Sequence, residues 1–188
     1  MVNLSELPSN LPIPKDDGAA KHLEGLFLPG IRLSSTDGSL INLADLAGKW
    51  VLYFYPMTGQ PNIPLPDGWD AIPGARGCTP QSCSFRNYFA ELKLLNTNIV
   101  GISSQTTEYQ LEAKLRLHLP FELLSDNQLQ VKLALNLPVF NIETLEFYQR
   151  LTMIIDNNRI VKVFYPVFPP DKNAEVIVEW LRNNQATT

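Results

Sequence analysis

Trp50-Val51-Leu52-Tyr53-Phe54-Tyr55 is an unbroken apolar run that stops at Pro56. Such a run fits a strand covered on both faces, as in a parallel sheet packed between helices. A passage rich in Pro and Gly, residues 57–77, leads from it into Pro73-Gly74-Ala75-Arg76-Gly77-Cys78-Thr79-Pro80-Gln81-Ser82-Cys83-Ser84-Phe85-Arg86. Pro73, Gly74 and Gly77 break regular structure ahead of Cys78. Phe85, Phe89 and Leu92 then recur at i, i+4 and i+7, which predicts an amphipathic helix running to about Leu95. Thr79 is positioned to cap that helix, and Pro80 suits its first turn. The reading puts Cys78 at or just before a helix N-terminus and Cys83 about one and a half turns in.

The pattern continues in both directions. Asn98–Ser103 reads as a second buried strand. Thr107 to about Leu117 reads as a helix with Leu111 and Leu115 inward, and His118 as a surface residue at its end. Phe121–Leu124 is a short strand, and Gln128–Leu135 a helix edged by Leu129, Lys132 and Leu133. Tyr148–Ile155 and Ile160–Tyr165 read as strands joined by a tight turn at Asn157-Asn158, since Asn accepts positive φ. Lys172–Asn184 is a helix with Ala174, Ile177, Trp180 and Leu181 on one face. Upstream, Leu26–Pro29, Ile31–Ser34 and Leu40–Asn42 are strand-like, with a turn at Thr36-Asp37-Gly38-Ser39 and a helical turn from Leu43 to Ala47 ended by Gly48. Strand and helix alternate and then give way to a hairpin and a helix. That order predicts an α/β chain of thioredoxin-like layout, a central mixed sheet flanked by helices with an N-terminal hairpin. Residues 1–22, with Pro8, Pro12, Pro14 and Gly18, read as an irregular arm, and 23–188 as the domain.

With 188 residues, 45% of them hydrophobic and 18% charged, the chain is long enough for one well-filled core. A net charge of −4 leaves no basic footprint for nucleic acid. No stretch approaches the roughly 18 apolar residues of a membrane span. Met1-Val2-Asn3-Leu4-Ser5-Glu6 lacks the basic and apolar regions of a leader. The expected compartment is the cytoplasm, where thiols stay reduced.

Cys78 and Cys83 are the only cysteines. A helix N-terminus favours an anion, so a thiol placed there tends to its nucleophilic thiolate form. Arg76 and Arg86 flank it. On an intact helix, residues five apart have Cα atoms about 8.6 Å apart, whereas a disulfide needs less than about 7 Å. The two thiols therefore bond only if the first helical turn unwinds. One reading is a pair of inert buried thiols. The other is a nucleophile and a partner that meet after local opening. A zinc site is poorly served, since only His22 and His118 are available and both lie far away in sequence. No cofactor is called for, and no Cys-x-x-Cys is present.

Several segments together resemble the peroxiredoxins. Tyr53-Phe54-Tyr55-Pro56 followed by Gly77-Cys78-Thr79 looks like their active-site region, and Cys-x4-Cys is similar to the Q-type group, also called bacterioferritin comigratory proteins. Leu119-Pro120-Phe121-Glu122-Leu123-Leu124-Ser125-Asp126 and Arg150-Leu151-Thr152-Met153-Ile154-Ile155-Asp156 resemble two further family segments, and the likeness covers roughly residues 23 to 183. It implies a thiol peroxidase in which Cys78 attacks a peroxide, Cys83 resolves the sulfenic acid as a disulfide, and a dithiol such as thioredoxin restores both thiols. It also implies that Arg150 lowers the Cys78 pKa and holds the peroxide oxygen. The chain departs from the family's Pro-x3-Thr-x2-Cys pattern: twenty-one residues separate Pro56 from Cys78, and Ala75 stands three before the cysteine. Thr58 is the candidate to supply the missing hydroxyl, and the insertion is expected to form one wall of the site. The other reading is a thioredoxin-like redox sensor switched by the Cys78–Cys83 disulfide.

Overall fold

Turn chemistry starts the fold. Asp37 accepts hydrogen bonds from the backbone N–H and hydroxyl of Ser39 at 2.9 and 2.6 Å, which hold its carboxyl down at about 2. Gly38, at φ +86°, completes the reversal between β1 (Arg32–Ser35) and β2 (Leu40–Asn42). The computed structural model describes residue 4 and residues 6–184. Met1–Asn3 and Ser5, within the stretch read above as lacking a leader, and residues 185–188 lie outside the described residues.

The apolar run forms β3 (Lys49–Phe54). Helices α1 (Cys78–Asn87) and α2 (Phe89–Leu94) follow the insertion. Next come β4 (Thr97–Ser103), α3 (Thr107–Arg116), β5 (Glu122–Ser125) and α4 (Gln130–Leu135). A two-stranded ribbon, β6 (Val139–Ile142) and β7 (Leu145–Tyr148), precedes β8 (Leu151–Asp156), β9 (Arg159–Phe164) and α5 (Asn173–Asn183). The seven-stranded sheet runs β2-β1-β5-β4-β3-β8-β9. β3 and β5 flank β4 in parallel, and the remaining pairs are antiparallel. This is the mixed, thioredoxin-like sheet expected.

β3 sits near the middle, covered on both faces. Leu52 and Phe54 point to one core with Leu23, Leu43, Ile102, Val131 and Met153. Val51, Tyr53 and Tyr55 point to the other, where Cys78, Phe85 and Leu92 pack with Ala174, Ile177, Val178 and Leu181 of α5. The second core seats the cysteine helix. Tyr53 stacks on Phe85 at 4.7 Å, and its hydroxyl bonds Ser82 Oγ at 3.1 Å. Burial pushes the Tyr53 hydroxyl up, so it stays protonated beneath the helix. The ring has room because its register partner is Gly101. A Cβ there would meet Tyr53 Cζ at 2.5 Å and Leu123 Cδ2 at 2.7 Å.

Several local expectations need correction. Gly77, not Thr79, precedes α1, and no side chain caps the helix. The cysteine helix is interrupted at Tyr88 (ψ 10°) before α2. Leu111 and Leu115 are 37% and 63% exposed. α3 is turned so that Gln110, Ala113 and Leu117 face in, because Gln110 Nε2 satisfies Ser103 Oγ and the Leu124 carbonyl, each at 2.9 Å. On α4, Val131 and Leu135 are inward and Leu133 is exposed. Its first turn is fixed by the Asp126 carboxylate, which accepts from Gln130 and Val131 N–H at 2.8 and 2.9 Å. Leu26–Pro29 contributes only the bridge Phe27↔Arg159. Tyr148–Ile155 is not one strand. Tyr148 belongs to the ribbon and Leu151 to the main sheet, and the chain changes sheets at Gln149-Arg150.

Gly101→Ala is expected to destabilise the fold by about 1–3 kcal/mol, the usual scale of overpacking. Urea unfolding of the two proteins checks this.

Candidate active site

Cys78 is the first residue of α1, and Gly77 before it takes φ +105°. At that angle L side chains are strained, and a Cβ would also lie 2.4 Å from Pro170 Cγ. Glycine therefore lets the chain turn under Pro170 and present Cys78 where the helix opens. The first N–H groups of a helix, here those of Cys78 and Thr79, have no helical acceptor, and no side chain caps α1. Cys78 is 3% exposed.

Arg150 reaches the same point from the sheet change between β7 and β8. It is 2% exposed. Its Nη2 faces Cys78 Sγ at 3.1 Å and the carbonyls of Gly74, Ala75 and Arg76 at 3.2 Å each. Its Nη1 donates to Gln81 Oε1. Gln81 Nε2 in turn donates to Asn173 Oδ1 at 2.9 Å, and Thr152 Oγ1 donates to the same oxygen at 2.8 Å. All four of these side chains are buried. Among the described residues no carboxylate pairs with Arg150. A buried cation so placed is costly to desolvate, and the Cys78 sulfur is among the atoms that face it. In its protonated form the thiol donates to the Ala75 carbonyl at 3.6 Å.

The insertion forms a wall, as expected. Trp69 is buried and packs edge-on against Phe147 and Phe140 of the β6–β7 ribbon at 5.2 and 5.8 Å. Met57, Gly59, Leu65, Trp69 and Arg76 of the insertion line a small cleft together with Leu4, Cys78 and Thr79. Thr58 lies between two lining residues, but its hydroxyl and N–H both donate to Gln105 Oε1, at 3.1 and 3.0 Å, and its carbonyl accepts from Gln105 Nε2. Among the described residues no hydrogen bond joins Thr58 to Cys78. The neighbouring arginines are engaged elsewhere: Arg76 pairs with Asp70 at 3.2 Å, and Arg86 donates to the Leu117 carbonyl at 2.8 Å. Cys83 is on the same helix, half-buried against the second core, and both cysteines are free thiols. The structure thus brings Cys78, Arg150 and Cys83 to one helix and its flank, with Thr58 in the adjoining loop. Sequence reasoning missed Gln81 and Asn173. Gln81 was within reach: three residues after Cys78, it shares that face of the helix.

A model of the Redoxin family matches residues 23–178. The chain is 29% identical over 174 residues to the chloroplastic peroxiredoxin Q of Sedum lineare, covering 92% of this chain and 84% of that protein. It is 28% identical over 183 residues to the chloroplastic peroxiredoxin Q of Gentiana triflora, covering 94% and 76% respectively. The crystal structure of peroxidoxin BcpB from Mycobacterium tuberculosis superposes with a TM-score of 0.71 at 24% identity, over 88% of this chain and 100% of that one. At that identity the structural likeness is one of fold.

Gln81→Leu removes the acceptor that fixes Arg150. Iodoacetamide alkylation of Cys78 at neutral pH is expected to slow by roughly tenfold, the scale of one hydrogen bond to a charged group at about 1.5 kcal/mol. Peptide mass spectrometry follows the labelled residue.

Proposed function

The chain belongs to the Redoxin family, and from that premise we propose that it is a thiol peroxidase in which Cys78 is the nucleophile, Cys83 the resolving thiol and Arg150 the electrostatic stabiliser. The observation that carries the reading is the buried Arg150 guanidinium, 3.1 Å from Cys78 Sγ, with no carboxylate partner among the described residues.

The Cys78 thiolate attacks the terminal oxygen of ROOH. An S–O bond forms, the O–O bond breaks and RO⁻ leaves, taking a proton to become ROH. Charge builds on the departing oxygen, and the proposed stabilisers are Arg150, which faces Cys78 Sγ at 3.1 Å, and the N–H groups at the start of α1. Cys78 is now a sulfenic acid, oxidised by two electrons. Cys83 then attacks its sulfur, and water leaves as the disulfide forms. Both cysteines lie within the intact α1, so this step requires the first turn to unwind. An external dithiol, thioredoxin or a similar protein, returns both thiols by exchange and leaves as its own disulfide. Thr58 serves this site by clamping Gln105, which fixes the backbone between Met57 and Gly59. The resting site needs free thiols at both positions, which suits a reducing compartment such as the cytoplasm. No described helix is long and apolar enough to cross a membrane.

The sensor reading draws on a different observation, the near-complete burial of Cys78 under the insertion. A sensor responds to glutathione disulfide as well as to peroxide, whereas a peroxidase reacts far faster with peroxide.

Reduced wild type and Cys83→Ser are to be mixed with hydrogen peroxide, with Trp fluorescence and product mass followed. The expected result is a fast phase in both, an internal disulfide in wild type and a sulfenic acid at Cys78 in the variant. Absence of a fast phase in both would remove the peroxidase assignment, and a disulfide dimer in wild type would remove Cys83 from its role.

A further inference from the structure

We infer that the buried hydrogen bond between Tyr53 and Ser82 is a latch on α1 that sets how fast Cys83 reaches Cys78. This deepens the peroxidase reading and rests on it.

Residues 79–82 separate the two thiols along α1. In a wound helix, Cα atoms five residues apart stand about 8.6 Å from each other, and a disulfide needs less than about 7 Å. Closing that gap changes backbone angles between residues 78 and 83. Side-chain bonds that hold residues 79–82 to other elements therefore oppose the step.

Gln81 and Ser82 each carry such a bond. Gln81 is tied to Asn173 of α5 at 2.9 Å and accepts from Arg150. Cutting that tie also releases the guanidinium beside Cys78. The second tie runs to the sheet instead. Ser82 is fully buried, and its Oγ is hydrogen-bonded to the Tyr53 hydroxyl of β3 at 3.1 Å. Ser82 also adjoins Cys83, so it is displaced when Cys83 swings toward Cys78.

The β3 end of this bond is held in place. Tyr53 is fully buried. Its ring stacks on Tyr55 and Phe85 at 5.5 and 4.7 Å and meets Phe121 edge-on at 6.1 Å. Its strand is paired on both sides, with β4 and with β8. At Gly101 a Cβ would lie 2.5 Å from Tyr53 Cζ and 2.6 Å from the hydroxyl oxygen, so the ring fits closely over that backbone. When the turn unwinds, Tyr53 stays and Ser82 leaves, and the hydrogen bond is broken.

Deleting one hydroxyl leaves the other buried without this partner, which raises the wound state in free energy. Ser82 in the unwound turn is free to meet water, so the open state loses nothing comparable. Deleting both hydroxyls removes the pair with little net cost. A latch therefore shows opposite signs in the single and double variants, whereas general loosening of the core adds up.

The test uses the full chain as wild type, Tyr53→Phe, Ser82→Ala and the double variant. Each reduced protein is mixed with hydrogen peroxide in stopped flow. The phase that scales with peroxide reads attack at Cys78, and the phase independent of peroxide reads disulfide closure. Mass spectrometry of quenched samples identifies each product. Closure is expected to speed up roughly fivefold in each single variant, the scale of one neutral hydrogen bond. It is expected to return to within about twofold of wild type in the double variant. Attack does not speed up with it. Amide exchange at residues 79 and 81–83 of the reduced proteins, measured without peroxide, is expected to follow the same order. Unchanged closure and exchange in both single variants overturn the latch, and so does a double variant looser than either single. If exchange follows the order but peroxide leaves all four proteins reduced, the peroxidase reading falls and the latch on α1 stands. If peroxide reacts and closure does not follow the order, the latch falls and the peroxidase stands.

Discussion

A guanidinium buried at 2% exposure and given only carbonyls, an amide and a sulfur for company has one place to find negative charge. Arg150 and Cys78 therefore determine each other. A buried guanidinium is costly without a negative partner, and the Cys78 sulfur is the one atom facing it that is neither a backbone carbonyl nor an amide oxygen. The rest of the site maintains that pairing. Gln81 orients the guanidinium, Asn173 orients Gln81, and Thr152 orients Asn173, so elements α1, β8 and α5 are tied through one chain of hydrogen bonds. Arg150 Nη1, Gln81 Nε2 and Thr152 Oγ1 each have one acceptor in this chain, while Nη2 is shared among three carbonyls and the sulfur.

The fold supplies the two positions separately. Cys78 is placed by the packing of α1 on the β3 aromatics, with Gly101 leaving room for Tyr53 to reach Ser82. Arg150 is placed by the change of sheet between β7 and β8, where the side chain is released from strand alternation. The insertion packs on the ribbon through a small core of Trp69, Ala75 and Phe147 of β7.

Much of this was legible in the chain. The unbroken run of β3, the glycines ahead of Cys78 and the alternation of strands and helices depend on local chemistry, and each appeared as read. The misjudged features depend on long-range partners. Leu111 and Leu115 look inward on spacing alone, but Gln110 has acceptors on β4 and β5 that no local pattern announces, and it turns the helix. Tyr148–Ile155 reads as one strand because nothing in its composition records that two different sheets compete for its halves. Thr58 reads as the source of the missing hydroxyl, but that hydroxyl is bonded to Gln105, forty-seven residues away. Gln81 was visible by helical spacing from Cys78, whereas Asn173 was not, since only the packing of α5 brings it near.

The central claim is that the charge of Arg150 activates Cys78. The most direct measurement is the second-order rate of hydrogen peroxide reduction by wild type, Arg150→Lys and Arg150→Met at neutral pH, with circular dichroism to confirm that each is folded. The account predicts a loss of about 10²–10³ for Met, the scale of one missing preorganised donor, with Lys retaining part of the rate. Folded Arg150→Met protein reacting at the wild-type rate would contradict it.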